Sequence, residues 1–147
     1  MCLWVNVENK LNDLLNEFKT SNVKEIADHL DISIQHQDFK AKTLDSRLMI
    51  VDYKGYIFVR SDLDCAYENF LIAHELGHYV LHYDENISFH FLRRVYKTRL
   101  EREANEFAYR LLLNDELNNI KEIENIEFLV KEKGIPLKIW YSLKDSI

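Results

Sequence analysis

His74-Glu75-Leu76-Gly77-His78 sets two imidazoles four residues apart with a carboxylate beside the first of them, the spacing at which a helix builds a hydrolytic zinc site. Four residues on a helix leave two side chains about 40° apart around the axis and roughly 6 Å along it, so both rings can share one ion. Glu75 follows the first histidine directly. From there its carboxylate reaches the open coordination position, takes a proton from water there and later hands it to a leaving amine. The motif thus supplies two ligands and a base, and a third ligand must come from elsewhere. The chain has six histidines, so the surroundings of the match decide its meaning. Tyr67 to Tyr83 carries Phe70, Leu71, Ile72, Ala73, Leu76, Val80 and Leu81 with no proline, which reads as one largely buried helix. Histidines buried on such a helix need partners, and a metal is an economical one.

The next helical segment runs from Lys97 to Leu113, with Leu100, Ala104, Phe107, Ala108, Leu111 and Leu112 at helical spacing. On its flank Glu101 and Asn105 stand four apart. The 22 residues between His78 and Glu101 let the first helix end, the chain turn and the second helix pack back, which makes Glu101 the best third ligand. Glu103 is its main competitor. Small Ala104 and Gly77 would let the helices approach closely, which accounts for a glycine that otherwise costs about 1 kcal/mol in a helix interior. Asn105 is placed to hydrogen-bond the outer nitrogen of a liganding histidine and fix its tautomer.

The run Phe70-Leu71-Ile72-Ala73-His74-Glu75-Leu76-Gly77-His78-Tyr79-Val80-Leu81-His82, followed by Glu101-x-x-Ala104-Asn105-x-Phe107-Ala108-x-x-Leu111-Leu112, resembles the ImmA/IrrE metallopeptidase family in both blocks and in their order. More loosely, the resemblance covers residues 21–113. It implies a compact zincin-like domain with zinc held by His74, His78 and Glu101, and with Glu75 as the base. The family often has Met-Pro after the double leucine, where this chain has Leu113-Asn114. The expected organisation is a zincin-like metallopeptidase domain over residues 1–113, with a C-terminal helical extension, 114–147, packed on the same single domain.

Two other ligand sets are weaker. Metzincins continue the motif with a glycine and a later His or Asp; Asp84 falls at that last position, but Leu81 occupies the glycine position, so the helix is expected to carry Asp84 away. His82 lies eight residues beyond His74, about 12 Å along the axis, and reads as a helix-end or outer-layer histidine.

The elements that must position this chemistry follow from the rest of the chain. At 147 residues and 47% hydrophobic content, one domain can bury about two-thirds of its unfolded surface. Three glycines and one proline favour helices with short connections. The expected fold class is α+β, mainly helical, with a small β-sheet or hairpin packed beside the motif helix. Val5 to Phe18 forms an amphipathic helix, and Asn22 to Leu30 a shorter one with Ser21 as N-cap. Ile32-x-Ile34 begins a strand, and Arg47 to Asp52 and Tyr56 to Arg60 flank a turn at Tyr53-Lys54-Gly55. The edge of such a sheet could hold an extended substrate by backbone hydrogen bonds. Asn114 to Lys133 reads as a charged helix, broken by Gly134-Ile135-Pro136 before a last helix from Leu137 to Leu143.

Val23 to Ser33 also resembles the first half of a DNA-binding helix-turn-helix. A basic recognition helix should then follow, whereas Ile34-Gln35-His36-Gln37-Asp38 is strand-like and the chain's net charge is −6. Direct nucleic-acid binding is therefore not expected. Lys131 to Leu143 gives a fainter echo, and an acidic surface suits basic protein partners better. Cys2 and Cys65 show no metal or redox spacing, which fits a reducing cytosol. The apolar start is too short for a signal peptide, and no run reaches membrane-spanning length, so a cytoplasmic protein is expected.

These observations point to a zinc endopeptidase with Zn2+ as cofactor. His90, Arg93, Arg94 and Tyr96 are candidates to stabilise the oxyanion. The family resemblance implies a helix-turn-helix transcriptional repressor of a phage or mobile element as the protein substrate, whose cleavage derepresses genes. The alternative is a non-proteolytic regulatory module that binds proteins and keeps a structural or latent zinc site.

Overall fold

A computed structural model describes residues 6–38, 45–83 and 94–144 of the chain, and of 94–97 the backbone alone. Helix α1 (Val7–Phe18) buries Val7, Leu11 and Leu14, one face of a 3.6-residue repeat. Asn6 caps it by accepting from the Asn9 backbone, and Lys19 ends it in the left-handed conformation at φ 58°. The expected start at Val5 lies outside the described residues. Helix α2 (Val23–His29) is capped by Asn22, whose side chain accepts from the backbone of both Lys24 and Glu25. The cap is therefore not Ser21: Asn22 reaches both orphan donors of the first turn. Strand β1 (Ser33–Gln37) follows directly, so no second helix completes a helix-turn-helix here.

Strands β2 (Ser46–Val51) and β3 (Lys54–Arg60) form the hairpin, and β1 pairs parallel to β3 in a sheet of order β1-β3-β2. The turn falls on Asp52-Tyr53, both left-handed at φ 49° and 67°, so of the expected Tyr53-Lys54-Gly55 only Tyr53 lies in it, and Lys54 and Gly55 already belong to β3. Gly55 serves packing instead. A Cβ there would meet the Tyr79 ring at 3.1 Å and Ile32 at 3.2 Å. Along β3, Gly55, Ile57 and Val59 face inward while the residues between them are partly exposed.

Helix α3 (Cys65–His82), capped by Asp64, runs under this sheet, and α4 (Arg94–Leu112) packs along its other side. The two helices approach closely at Gly77. An added Cβ there would sit 3.0 Å from Phe107 Cβ and 3.1 Å from both the Ala104 Cα and its carbonyl oxygen. The α+β class, mainly helical with the small sheet beside the motif helix, is therefore the observed one.

Beyond Leu113, which is fully buried, the expected long helix is divided into a 3-10 helix (Leu117–Glu122) and α5 (Ile126–Glu132). Asn125 starts α5 afresh by accepting from the Phe128 backbone. Gly134, at φ +79°, crosses the first turn of α3 so closely that a Cβ would lie 2.0 Å from the Ala66 carbonyl oxygen. Helix α6 (Leu137–Leu143) then sets Trp140 edge-on to Tyr109 at 6.1 Å. Val130, Ile135, Trp140 and Leu143 join the same buried cluster as α3 and α4. Among the described residues no helix is long and apolar enough to cross a membrane.

Candidate metal centre

The pairing of α3 with α4 brings His74, His78 and Glu101 together. Their ligand atoms all lie within 4.8 Å of one another. Glu101 divides its two oxygens between the imidazoles, Oε1 at 3.0 Å from His78 Nε2 and Oε2 at 3.2 Å from His74 Nε2. The edges of a tetrahedron with metal–ligand bonds of about 2.0–2.1 Å are roughly 3.3 Å long, so these atoms stand near the separations that zinc requires. The histidine side chains are 13% and 11% exposed and that of Glu101 48%, which opens the centre toward solvent on the α4 side.

The outer nitrogens are committed elsewhere. His74 Nδ1 lies 2.7 Å from Asn105 Oδ1; an amide oxygen only accepts, so Nδ1 carries a proton and Nε2 is the nitrogen turned to the centre. His78 Nδ1 lies 3.0 Å from His82 Nδ1. Two imidazole nitrogens that face one carboxylate make a donor set suited to a divalent metal ion. Against burial, which opposes it, hydrogen bonding to His74 and His78 holds the Glu101 carboxyl well below the usual carboxylate range. Burial likewise works to lower His74, but the hydrogen bond to Glu101 and the nearby charge of Glu75 outweigh it and raise the imidazole.

Glu75 is buried, and its Oε1 accepts a hydrogen bond from Ser46 Oγ at 2.9 Å. Ser46 is the first residue of β2. Its place is braced by Asp45, which accepts from Arg60 Nη1 at 2.9 Å and from Tyr67 Oη at 2.8 Å. Burial and Asp45 together push the Tyr67 hydroxyl up to about 12. Ser46 escapes sequence reasoning because its contact with Glu75 spans 29 positions and no local spacing announces it.

Glu103 does not join the cluster of His74, His78 and Glu101. It is buried with its Oε1 3.1 Å from Arg99 Nε and its Oε2 3.5 Å from His82 Nε2, and burial raises its carboxyl against the pull of Arg99. Burial and the neighbouring His78 lower His82 to about 3, so its ring is neutral. Asp84, His90 and Arg93 lie outside the described residues, as do the side chains of Arg94 and Tyr96.

The comparisons with known proteins agree in kind. The family model described as the IrrE N-terminal-like domain matches residues 27–128. Uncharacterized immunity region protein 2 of Bacillus phage phi105 is 32% identical over 142 residues, 90% of this chain and 84% of the relative. Metallopeptidase ImmA of Bacillus subtilis strain 168 is 34% identical over 116 residues, 77% of this chain and 66% of the relative. No solved structure matches the chain.

Proposed function

The chain belongs to the ImmA/IrrE metallopeptidase family, and from that premise we propose that it is a zinc-dependent endopeptidase that cleaves a helix-turn-helix transcriptional repressor in the cytoplasm. The observation that carries this reading is the convergence of His74, His78 and Glu101 from two helices, with the buried carboxylate of Glu75 on the same helix turn. His74, His78 and Glu101 would hold the ion. Zinc, when bound, supplies Lewis acidity that polarises a peptide carbonyl and makes water a competent nucleophile near neutral pH.

The protein's own groups do the rest. Glu75 takes the proton from the attacking water and returns it to the departing amine. Ser46 donates to one oxygen of that carboxylate and leaves the other for the proton in transit. Strand β2 lies at the end of the sheet, and its outer edge pairs with no strand among the described residues. An extended peptide added to that edge would run past Ser46, and so past Glu75. This favours a polypeptide in extended form over a small molecule. A repressor is the protein substrate that suits a relative encoded in a phage immunity region, and its loss would derepress phage or mobile-element genes.

The test is co-expression with the nearest repressor-like gene of the same genome, repeated with Glu75→Gln, which keeps size but removes the base. The reading expects repressor fragments with the parent and intact repressor with the variant, since loss of a general base costs about 10²–10⁴ in rate. If both proteins relieve repression and the repressor stays full length, the chain acts on that partner by binding, as a regulatory module with a structural or latent zinc site.

A further inference from the structure

Each four-residue step along α3 rotates a side chain by about 40°, so His82 stands about 80° round from His74. That drift carries it away from the metal-binding edge to the opposite flank of the α3–α4 contact, where Glu103 lies. The His82 side chain is 3% exposed and that of Glu103 10%. Two hydrophilic groups so deeply buried need a reason beyond solubility.

The hydrogen positions supply one. If His78 is to turn a lone pair from Nε2 toward an ion, its Nδ1 must carry the proton and donate it. The atom facing it is His82 Nδ1, at 3.0 Å, which must then be the unprotonated nitrogen of a neutral ring. The proton of His82 consequently sits on Nε2, which lies 3.5 Å from Glu103 Oε2, near enough for charge attraction but outside hydrogen-bond geometry. Glu103 is in turn held by Arg99.

Resting on the metal-centre reading, we infer that His82 and Glu103 are positioning residues for His78: a His78–His82–Glu103 relay fixes the tautomer and orientation of one ligand, as Asn105 does for His74. A bare imidazole is a weaker acceptor than a carboxylate, and the charge of Glu103 beside the far N–H makes it a better one. The two glutamates two residues apart on α4 therefore divide the work. Glu101 would hold the ion, and Glu103 would act on it through two rings.

The test is zinc affinity at fixed pH by competition with a chromophoric chelator, using Glu103→Gln, His82→Phe, their double variant and His82→Gln. Glu103→Gln is nearly isosteric and should weaken zinc binding about 10-fold, and His82→Phe about 10–100-fold. Added to His82→Phe, Glu103→Gln should cost nothing more, because the path through which it acts is gone. His82→Gln should recover most of the affinity, since its amide can accept from His78 and donate to Glu103. Glu103→Gln loses its buried pair with Arg99 and should melt lower, so affinity is read at a temperature where the metal-free variant is folded, which separates this role from packing. Unchanged zinc affinity in Glu103→Gln overturns the relay, and this single variant decides even if His82→Phe fails to fold. Equal losses from Glu103→Gln with and without His82 overturn it too. A parent protein that binds no zinc removes the metal centre itself, and the relay with it.

Discussion

His78 has two ring nitrogens and both face a named partner, Glu101 across the centre and His82 behind it; the same is true of His74 with Glu101 and Asn105. Such double commitment is what a metal-binding histidine needs, one nitrogen for the ion and the other held from behind. Asn105→Ala removes the acceptor behind His74 and should weaken zinc binding about 10-fold while leaving the metal-free fold intact. Chelator competition measures this, and parent-like affinity would show that His74 keeps its tautomer without help. Glu101→Ala should cost more, at least about 100-fold, because it removes a bond to the ion and not a hydrogen bond behind one. At this scale the sequence was legible wherever function follows helical spacing: His74, His78, Glu101 and Asn105 stand at four-residue intervals on two helices. It was silent on Ser46, which meets Glu75 only because β2 folds over α3. It ranked Glu101 ahead of Glu103, and the rotation of α4 against α3 gives the physical reason, since Glu103 turns to Arg99 and His82.

The α3–α4 pair is the element on which the centre depends, and Gly77 sets its spacing. Replacing Gly77 by alanine gains helix propensity of about 1 kcal/mol and loses a comparable amount to contacts with Ala104 and Phe107, so its net effect on stability should be small. Gly77→Val has no such balance. Its branched side chain must force the helices apart at a cost of about 1–3 kcal/mol, and about 2–4 °C of melting temperature per kcal/mol is expected for a chain of this size. Zinc affinity should fall with it, because Glu101 rides on α4 and the histidines on α3. A thermal melt and a zinc titration check both, and a Gly77→Val protein with parental values would mean that the helices do not meet there. The long amphipathic helices were readable from period alone. The elements misjudged were those settled by single residues: Asn22 over Ser21 as a cap, Asp52-Tyr53 as the turn while Gly55 serves close packing, and Asn125 restarting a helix within a charged stretch whose composition reads as continuous.

For the whole molecule, residues after Leu113 belong to the core that supports the centre. Val130, Ile135, Trp140 and Leu143 are buried against it, and each large apolar side chain fully removed from water contributes about 1.5–3 kcal/mol. Four of them rival the typical 5–15 kcal/mol stability of a domain. A chain ending at residue 113 should therefore show no cooperative thermal transition, and one that melts like the parent would make the C-terminal segment an appendage. Loss of the ion should act on the same scale, because a ligand bound only to the folded state stabilises it by mass action, about 2.7 kcal/mol at a hundred times its dissociation constant. The claim on which everything else depends is that this fold holds one zinc ion with His74, His78 and Glu101. Its most direct test is the zinc content of untagged protein, measured by elemental analysis for the parent and for His78→Ala. About one zinc per chain is expected in the parent, little in the variant, and a parent melting temperature that falls when the metal is removed. A parent that carries no zinc, and whose melting temperature does not rise when zinc is added, would contradict it.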